Sequence, residues 1–187
     1  MKKGLLIILS GPSGVGKGTV RELFCKLPEL NIAYSVSMTT RQRRDNETNG
    51  VEYFFVDRPT FEKAIANNEL LEHAEFVGNY YGTPKKYVDD LRKQGKNVLL
   101  EIEVEGANQV ISKVHDALTI FIVPPSIEEL EKRIRGRRSE TEEIVQLRLA
   151  KASKEMERLG SYKFIVCNDD PHLAAQIISL IIKRHME

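Results

Sequence analysis

Apolar residues arrive along this chain by turns in short runs and at helical spacing. Leu5-Leu6-Ile7-Ile8-Leu9 is a continuous run of the length of one buried strand. Past a glycine-rich stretch, Val20, Leu23, Phe24 and Leu27 recur at helical spacing until Pro28 stops them. Residues 32–37 alternate and predict a strand. Residues 51–56 predict another, and the Asn49-Gly50 turn signal between the two points to a small antiparallel piece. Residues 60–68 read as a short helix with Phe61, Ala64 and Ile65 on one side. Residues 70–77 read as a strand, and Gly78-Asn79-Tyr80-Tyr81-Gly82 as a turn with aromatics. Thr83-Pro84 predicts a cap and a first-position proline for a helix running to Gln94, with Gly95 ending it.

The second half keeps the alternation. Residues 98–104 predict a central strand, and period two sets Glu101 and Glu103 on one face near its C-terminal end. Residues 118–123 predict a buried strand ended by Pro124-Pro125. Ser126 with Glu129 forms a capping box for a helix to Arg135, and Ser139 with Glu142 offers a second box. The helix after it carries Val145, Leu149, Ala152, Met156 and Leu159 as a stripe, stopped by Gly160. Residues 162–167 predict the last strand, and Asp170-Pro171 opens a closing helix with Leu173, Ile177 and Leu180 expected inward. Strands alternating with helices imply an α/β fold with a parallel, doubly wound sheet. Residues 38–90 break that rhythm and predict an inserted lobe. Residues 126–158 predict a helical lid, which leaves 1–37, 91–125 and 159–187 as the core.

Between the first strand and the first helix stands the chemistry. Gly11, Pro12, Ser13, Gly14, Val15, Gly16, Lys17, Gly18 and Thr19 form a P-loop, the strand–glycine loop–helix unit that cradles a polyphosphate. Glycines let backbone N–H groups turn inward, and the helix start adds unpaired donors and a positive dipole end. Lys17 brings a full charge toward the β- and γ-phosphates. The hydroxyl that usually follows the lysine and meets Mg²⁺ is replaced by Gly18, and Thr19 carries it one residue later. The opposing reading is a glycine-rich turn without a ligand. In an open α/β sheet, Glu101 and Glu103 sit at the ligand-binding edge, which suits contact with a ligand or with Mg²⁺-bound water. Lysines capping a strand-end acid pair are the alternative.

Composition narrows the partners. With 28 basic and 27 acidic residues, a net charge of +1 argues against a nucleic-acid coat or a membrane-surface protein. Basic residues cluster locally, in Arg41, Arg43 and Arg44 and again in Arg133, Arg135, Arg137 and Arg138, which points to small anionic ligands. Solvated surface is the plainer reading of each run. Cys25 and Cys167 lack paired spacing and read as reduced, buried thiols of a cytosolic protein. No signal pattern precedes the first strand, and no apolar run approaches the ~20 residues of a membrane span.

Taken together, the motifs resemble the guanylate kinases. The matching residues are 11–19, Ser37-Met38-Thr39-Thr40-Arg41 with Arg44, Asn49-Gly50 with Tyr53, Gly78-Asn79-Tyr80-Tyr81-Gly82, Pro124-Pro125-Ser126 and Asn168-Asp169. They cover nearly the whole chain in the family's order. The resemblance implies a P-loop core with a five-stranded parallel sheet, a small GMP-binding α+β lobe and a lid. It implies a cytoplasmic enzyme of purine nucleotide metabolism that transfers phosphate from ATP to GMP or dGMP, with Mg²⁺, in line and without a covalent intermediate. Arg41, Arg44, Tyr53 and Tyr81 then look like GMP-phosphate contacts, and Ser37, Glu72 and Thr83 like guanine contacts, with Glu103 facing the nucleotide. Lys17, Arg41, Arg137 and Arg148 look catalytic. Arg133 resembles the residue lying against adenine, Asn168 looks like a further ATP contact, and Thr19 and Glu101 look like metal contacts, Glu101 through water. The chain departs from common family residues at Gly18, Thr83, Glu101, Glu103 and Arg138.

Guanine recognition by Glu72 has a physical logic. Guanine presents N1–H and an exocyclic amine side by side, and a carboxylate accepts both. Facing adenine, that carboxylate is left unpaired, at ~1–3 kcal/mol or more. Rejection of the wrong base thus adds to capture of the right one. Alone, Glu72 reads as a surface acid and Tyr80-Tyr81 as packing. Two rival readings are a kinase for another nucleoside monophosphate and a non-catalytic guanylate-kinase-like interaction domain. Gly-Lys-Gly-Thr also resembles adenylate kinase, but that family lacks the 37–44 pattern, and the interaction domains typically lose the P-loop. A GTPase is a weaker reading still, since no Asn-Lys-x-Asp occurs.

Overall fold

The structure is a computed structural model that describes residues 2–136 and 141–187. Strand β1 (Leu6–Ser10) leads through the glycine loop into α1 (Lys17–Cys25), followed by β2 (Ile32–Tyr34). A second group follows: β3 (Ser37–Thr39), β4 (Tyr53–Phe55), α2 (Arg58–Ala66), β5 (Leu70–Phe76), β6 (Asn79–Pro84) and α3 (Lys85–Lys93). The chain then returns as β7 (Asn97–Glu101), α4 (Val104–Lys113) and β8 (Leu118–Val123). It closes with α5 (Ile127–Arg135), α6 (Glu142–Met156), β9 (Phe164–Cys167) and α7 (Pro171–Met186).

The main sheet has five strands in the order β2-β7-β1-β8-β9, and all its pairings are parallel. Helices cover both faces, so β1 is buried along its whole length and reads as a continuous apolar run. On one face Val20 and Phe24 of α1 meet Ile178 and Ile182 of α7; on the other, Val88 of α3 meets Ala107 and Val110 of α4. The α/β class and the five-stranded parallel core are as expected. β1 lies between β7 and β8, and the crevice beyond its C-terminal end is where such sheets hold ligands.

The second sheet has the order β4-β3-β6-β5 over a small core of Met38, Phe61, Ala64 and Leu70. It corrects the expected antiparallel pairing across Asn49-Gly50: β3 and β4 run parallel, and the antiparallel partners are β3–β6 and β5–β6. The expected strand over 32–37 is two strands in different sheets, because the chain leaves the main sheet after Tyr34 and joins the second at Ser37. Tyr80, Tyr81 and Gly82 lie in β6, and the turn itself is Val77-Gly78, both at positive φ. Thr83 is a strand residue, and Pro84 is the N-cap of α3 rather than its first helical residue.

β7 stops at Glu101; Glu103 caps α4, a helix the alternating pattern concealed. In α7 the buried face is Ala174, Ile178 and Ile182, whereas Leu173, Ile177 and Leu180 are 55%, 39% and 65% exposed. Small Ala174 and Ala175 pack against the core there. Ser126 caps α5 through the Glu129 N–H, and Asp170 caps α7. The second box rests on Ser139, outside the described residues, and α6 begins at Glu142 with Thr141 as N-cap. Arg137 and Arg138 also lie outside the described residues. Cys25 is half-buried, its thiol pushed up to about 11 by burial, but Cys167 is exposed; both are free. Among the described residues no helix is long and apolar enough to cross a membrane.

Candidate functional site

The loop after β1 is shaped by residues that cannot be anything but glycine. Gly11 sits at φ 149, and a Cβ there would lie 2.4 Å from the Ile122 carbonyl oxygen. Gly16, the N-cap of α1, sits at φ 92 with the Asn168 amide only 2.7 Å from where its Cβ would be. The Asn168 Nδ2 donates to the Val15 carbonyl (2.7 Å), and Arg133 donates to the Asn168 carbonyl (2.9 Å). Asn168 and Arg133 therefore hold the loop from outside. The Asn168 Oδ1 is buried without a partner.

Inside the loop, Lys17 Nζ donates to the carbonyls of Gly11 and Pro12, the latter at 3.1 Å. Burial lowers its pKa, opposed by the charges of Glu101, Glu155 and Glu103. Lys17 faces a cavity of about 370 Å³ lined by Ser13, Arg21, Tyr34, Glu101, Glu103 and Glu155 among others. Arg148 of α6 reaches this loop from the far end of the chain, donating to Ser13 Oγ at 2.8 Å. Gly18 leaves open space toward Glu101, whose Oε1 is 4.0 Å from the position a Cβ would take. Thr19 is exposed in the first turn of α1 and does not line the cavity.

A second cavity, about 470 Å³, opens next to the first and is lined by Ser37, Tyr53, Glu72, Tyr81, Glu101 and Glu103 among others. The two cavities share Glu101, Ile102 and Glu103. Parallel pairing sets this segment beside the P-loop: Leu9 is opposite Glu101, and Ser10 Oγ donates to the Ile102 carbonyl at 2.9 Å. The strand-end acids have different partners. Glu101 pairs with Arg21 (3.2 Å), and Glu103 with Lys151 of α6 (2.8 Å), so lysine capping holds for Glu103 alone.

Glu72 is aimed by an irregularity. Leu70 pairs with Pro84 but His73 with Gly82, so β5 carries an extra residue there. Gln109 of α4 takes over the His73 backbone, accepting from its N–H (3.1 Å) and donating to its carbonyl (2.9 Å). The Glu72 side chain is buried and accepts the Thr83 hydroxyl at 2.5 Å. Burial pushes its carboxyl above the usual range, with the Thr83 bond and the Lys113 charge opposing. Gly106 of α4 makes the room: a Cβ there would be 2.8 Å from Glu72 Oε2.

The arginines stand at the rim. Arg41 is paired with Glu47 at 2.6 Å and lies over the Tyr53 ring, 5.5 Å from its centroid. Glu47 also accepts the Arg44 backbone N–H (2.8 Å), while the Arg44 side chain is exposed. Tyr53 and Tyr81 meet edge to face at 6.0 Å. The structure thus gathers Ser37, Tyr53, Glu72, Tyr81 and Glu103 around one cavity, with Thr83 behind Glu72 and Arg41 beside Tyr53. Reading the sequence missed Arg21, Glu47, Lys151 and Glu155. Arg21 had a signal, four residues after Lys17 on one face of α1. Lys151 and Glu155 had a similar one, three and seven residues after Arg148 on one face of α6, although Glu103, which Lys151 pairs with, lies on a distant segment.

A guanylate kinase family model matches residues 3–185. Guanylate kinase of Mycoplasma capricolum subsp. capricolum is 51% identical over 187 residues, covering all of this chain and 62% of that protein. Guanylate kinase of Mycoplasma mycoides subsp. mycoides is 51% identical over 188 residues, with the same coverage. The chain thus spans less than two thirds of the length of these curated relatives. The crystal structure of guanylate kinase from Anaplasma phagocytophilum superposes with a TM-score of 0.72 at 34% identity, covering 100% of this chain and 88% of that one.

Proposed function

From the premise that this chain belongs to the guanylate kinase family, we propose that it transfers the terminal phosphate of ATP to GMP, giving ADP and GDP. The single observation that carries this reading is the meeting of two cavities at residues 101–103, one on the P-loop and one around Glu72. ATP lies with its phosphates on residues 11–19, and Arg133 and Asn168 serve the adenine side. GMP lies in the other cavity, its base against Glu72, Ser37 and Thr83 and its phosphate toward Tyr53, Tyr81, Arg41 and Arg44. The acceptor oxygen then faces the γ-phosphate across one cleft.

Phosphoryl transfer asks for positioning and cationic stabilisation rather than covalent chemistry from the protein. Lys17 turns from the Gly11 and Pro12 carbonyls to the phosphates. Arg41 exchanges Glu47 for the GMP phosphate, and Arg148, with Arg137, adds charge from residues 126–158 acting as a lid. Closure excludes water and so suppresses hydrolysis of ATP. Mg²⁺ neutralises charge on the polyphosphate. Glu101, with open space in front of it at Gly18, is a carboxylate that would fit such an ion, and of the motif hydroxyls Ser13 lines the same cavity while Thr19 does not. Among the described residues no group of three His, Cys, Asp or Glu side chains could hold a metal ion, and Glu101 would hold Mg²⁺ together with the nucleotide phosphates. Two free cysteines suit a reducing cytoplasm.

A coupled ADP-release assay with ATP, Mg²⁺ and a panel of GMP, dGMP, AMP, UMP and CMP tests this function. Turnover confined to the guanine nucleotides is expected; turnover with AMP and none with GMP refutes the assignment. Gly106→Ala probes the base pocket more finely. Alanine favours helix by ~1 kcal/mol over glycine, but its Cβ would lie 2.8 Å from the buried Glu72 carboxylate, and overpacking of ~1–3 kcal/mol should leave Tm unchanged or lower it. Its methyl displaces the Glu72 carboxylate, so KM for GMP should rise roughly tenfold with KM for ATP unchanged, as for loss of one hydrogen-bond pair. Steady-state kinetics and a thermal melt check both parts.

A further inference from the structure

The proposed transfer leaves one buried acid unused. Glu155 stands near the C-terminal end of α6, on the helix that carries Arg148 and Lys151, and spacings of three, four and seven set the three residues on one face. Its side chain is 11% exposed, and Oε2 is buried with no hydrogen-bond partner among the described residues. The carboxylate lines the P-loop cavity with Ser13 and Lys17, and the Ser13 backbone N–H approaches it. Lys151 Nζ is 3.9 Å from Oε1. Burial raises the carboxyl pKa, Glu103 adds to the rise, and Lys151, Lys17 and the Ser13 N–H oppose it.

Resting on the reading of residues 11–19 as the ATP site, we propose that Glu155 is a positioning residue whose carboxylate, lining the same cavity as Ser13 and Lys17, is expelled when a triphosphate binds. Bound phosphates bring negative charge into the cavity that Glu155 shares with Ser13 and Lys17, so the carboxylate becomes a like charge beside them. Expulsion moves α6, which also carries Arg148 on the loop-facing side. Loop occupancy and the position of the Arg148 helix are thereby coupled through one side chain.

Titration calorimetry with inorganic tripolyphosphate and, separately, adenosine tests the idea on the whole chain. Glu155→Gln keeps the shape and removes the charge. The variant should bind tripolyphosphate about tenfold more tightly, as removal of a close like charge predicts, with adenosine affinity unchanged. Glu155→Asp, which draws the charge back by one methylene, should shift tripolyphosphate the same way by less and serves if the glutamine variant does not fold. Unchanged or weaker tripolyphosphate binding, or an equal shift for adenosine, overturns the proposal. The binding readout needs no transfer to GMP: a wild type that binds tripolyphosphate but does not phosphorylate GMP refutes the proposed function and leaves the Glu155 result to be judged on its own.

Discussion

Lys17→Ala should lower kcat/KM for ATP by about 10³-fold or more while the protein stays folded. The ammonium is the full positive charge inside the loop, and it donates to the Gly11 and Pro12 carbonyls. Nothing structural hangs on those two bonds, since the loop is also held by Asn168 and by the glycine conformations at 11 and 16. Burial depresses the Lys17 pKa. A cation whose folded pKa lies below its unfolded one binds its proton less tightly in the native state, so near neutral pH its burial costs stability. Removing it should therefore keep Tm or raise it slightly. Coupled kinetics with a thermal melt check the pair of outcomes; near-normal turnover would remove Lys17 from the mechanism.

Glu72→Gln should raise KM for GMP by about 10²-fold, because a charged acceptor is lost and one guanine donor meets an amide N–H instead of an oxygen. Glutamine also offers a donor to adenine N1, which the carboxylate cannot, so the preference for GMP over AMP should fall further than GMP activity alone. Stability moves the other way. The Glu72 carboxyl is held above the usual range by burial. The native state then binds the proton more tightly than the unfolded state. Stability is full below the unfolded pKa and declines as pH rises through the folded one. The neutral variant escapes that decline: its Tm should match wild type in acid and equal or exceed it at neutral pH. The Thr83 hydroxyl keeps an acceptor in either side chain. Thermal melts across pH, read beside nucleotide kinetics, separate a recognition role from a structural one.

Contiguous features of this chain were legible before any coordinates. The P-loop is one such stretch, because strand, loop and helix start are consecutive residues whose spacing is the signal. β8 and α5 were equally plain, with an apolar run, a double proline and a capping serine in order. What stayed hidden depends on partners far along the chain. A period of two carried the strand on to Glu103, but Glu103 begins α4, whose glycine and β-branched residues give a weak helical signal. α7 is apolar on most of its circumference, so the larger side chains were assigned inward, whereas small Ala174 and Ala175 mark the packed face. Parallel pairing of β3 with β4 has no local mark at all. At the site, the guanidinium of Arg41 was foreseen and its clamp Glu47 was not, and neither was the arrival of Glu155 at the P-loop. The Arg41–Glu47 pair is set by the loop conformation between residues six apart, and only the closed fold brings Glu155 to the P-loop cavity.

Soaking crystals with ADP and GMP together measures the central claim most directly. The account predicts the guanine edge on the Glu72 carboxylate, the GMP phosphate beside Arg41, Tyr53 and Tyr81, and the ADP phosphates on residues 11–19. GMP bound away from Glu72, or a nucleotide base in that pocket offering no paired N–H groups to the carboxylate, would contradict it.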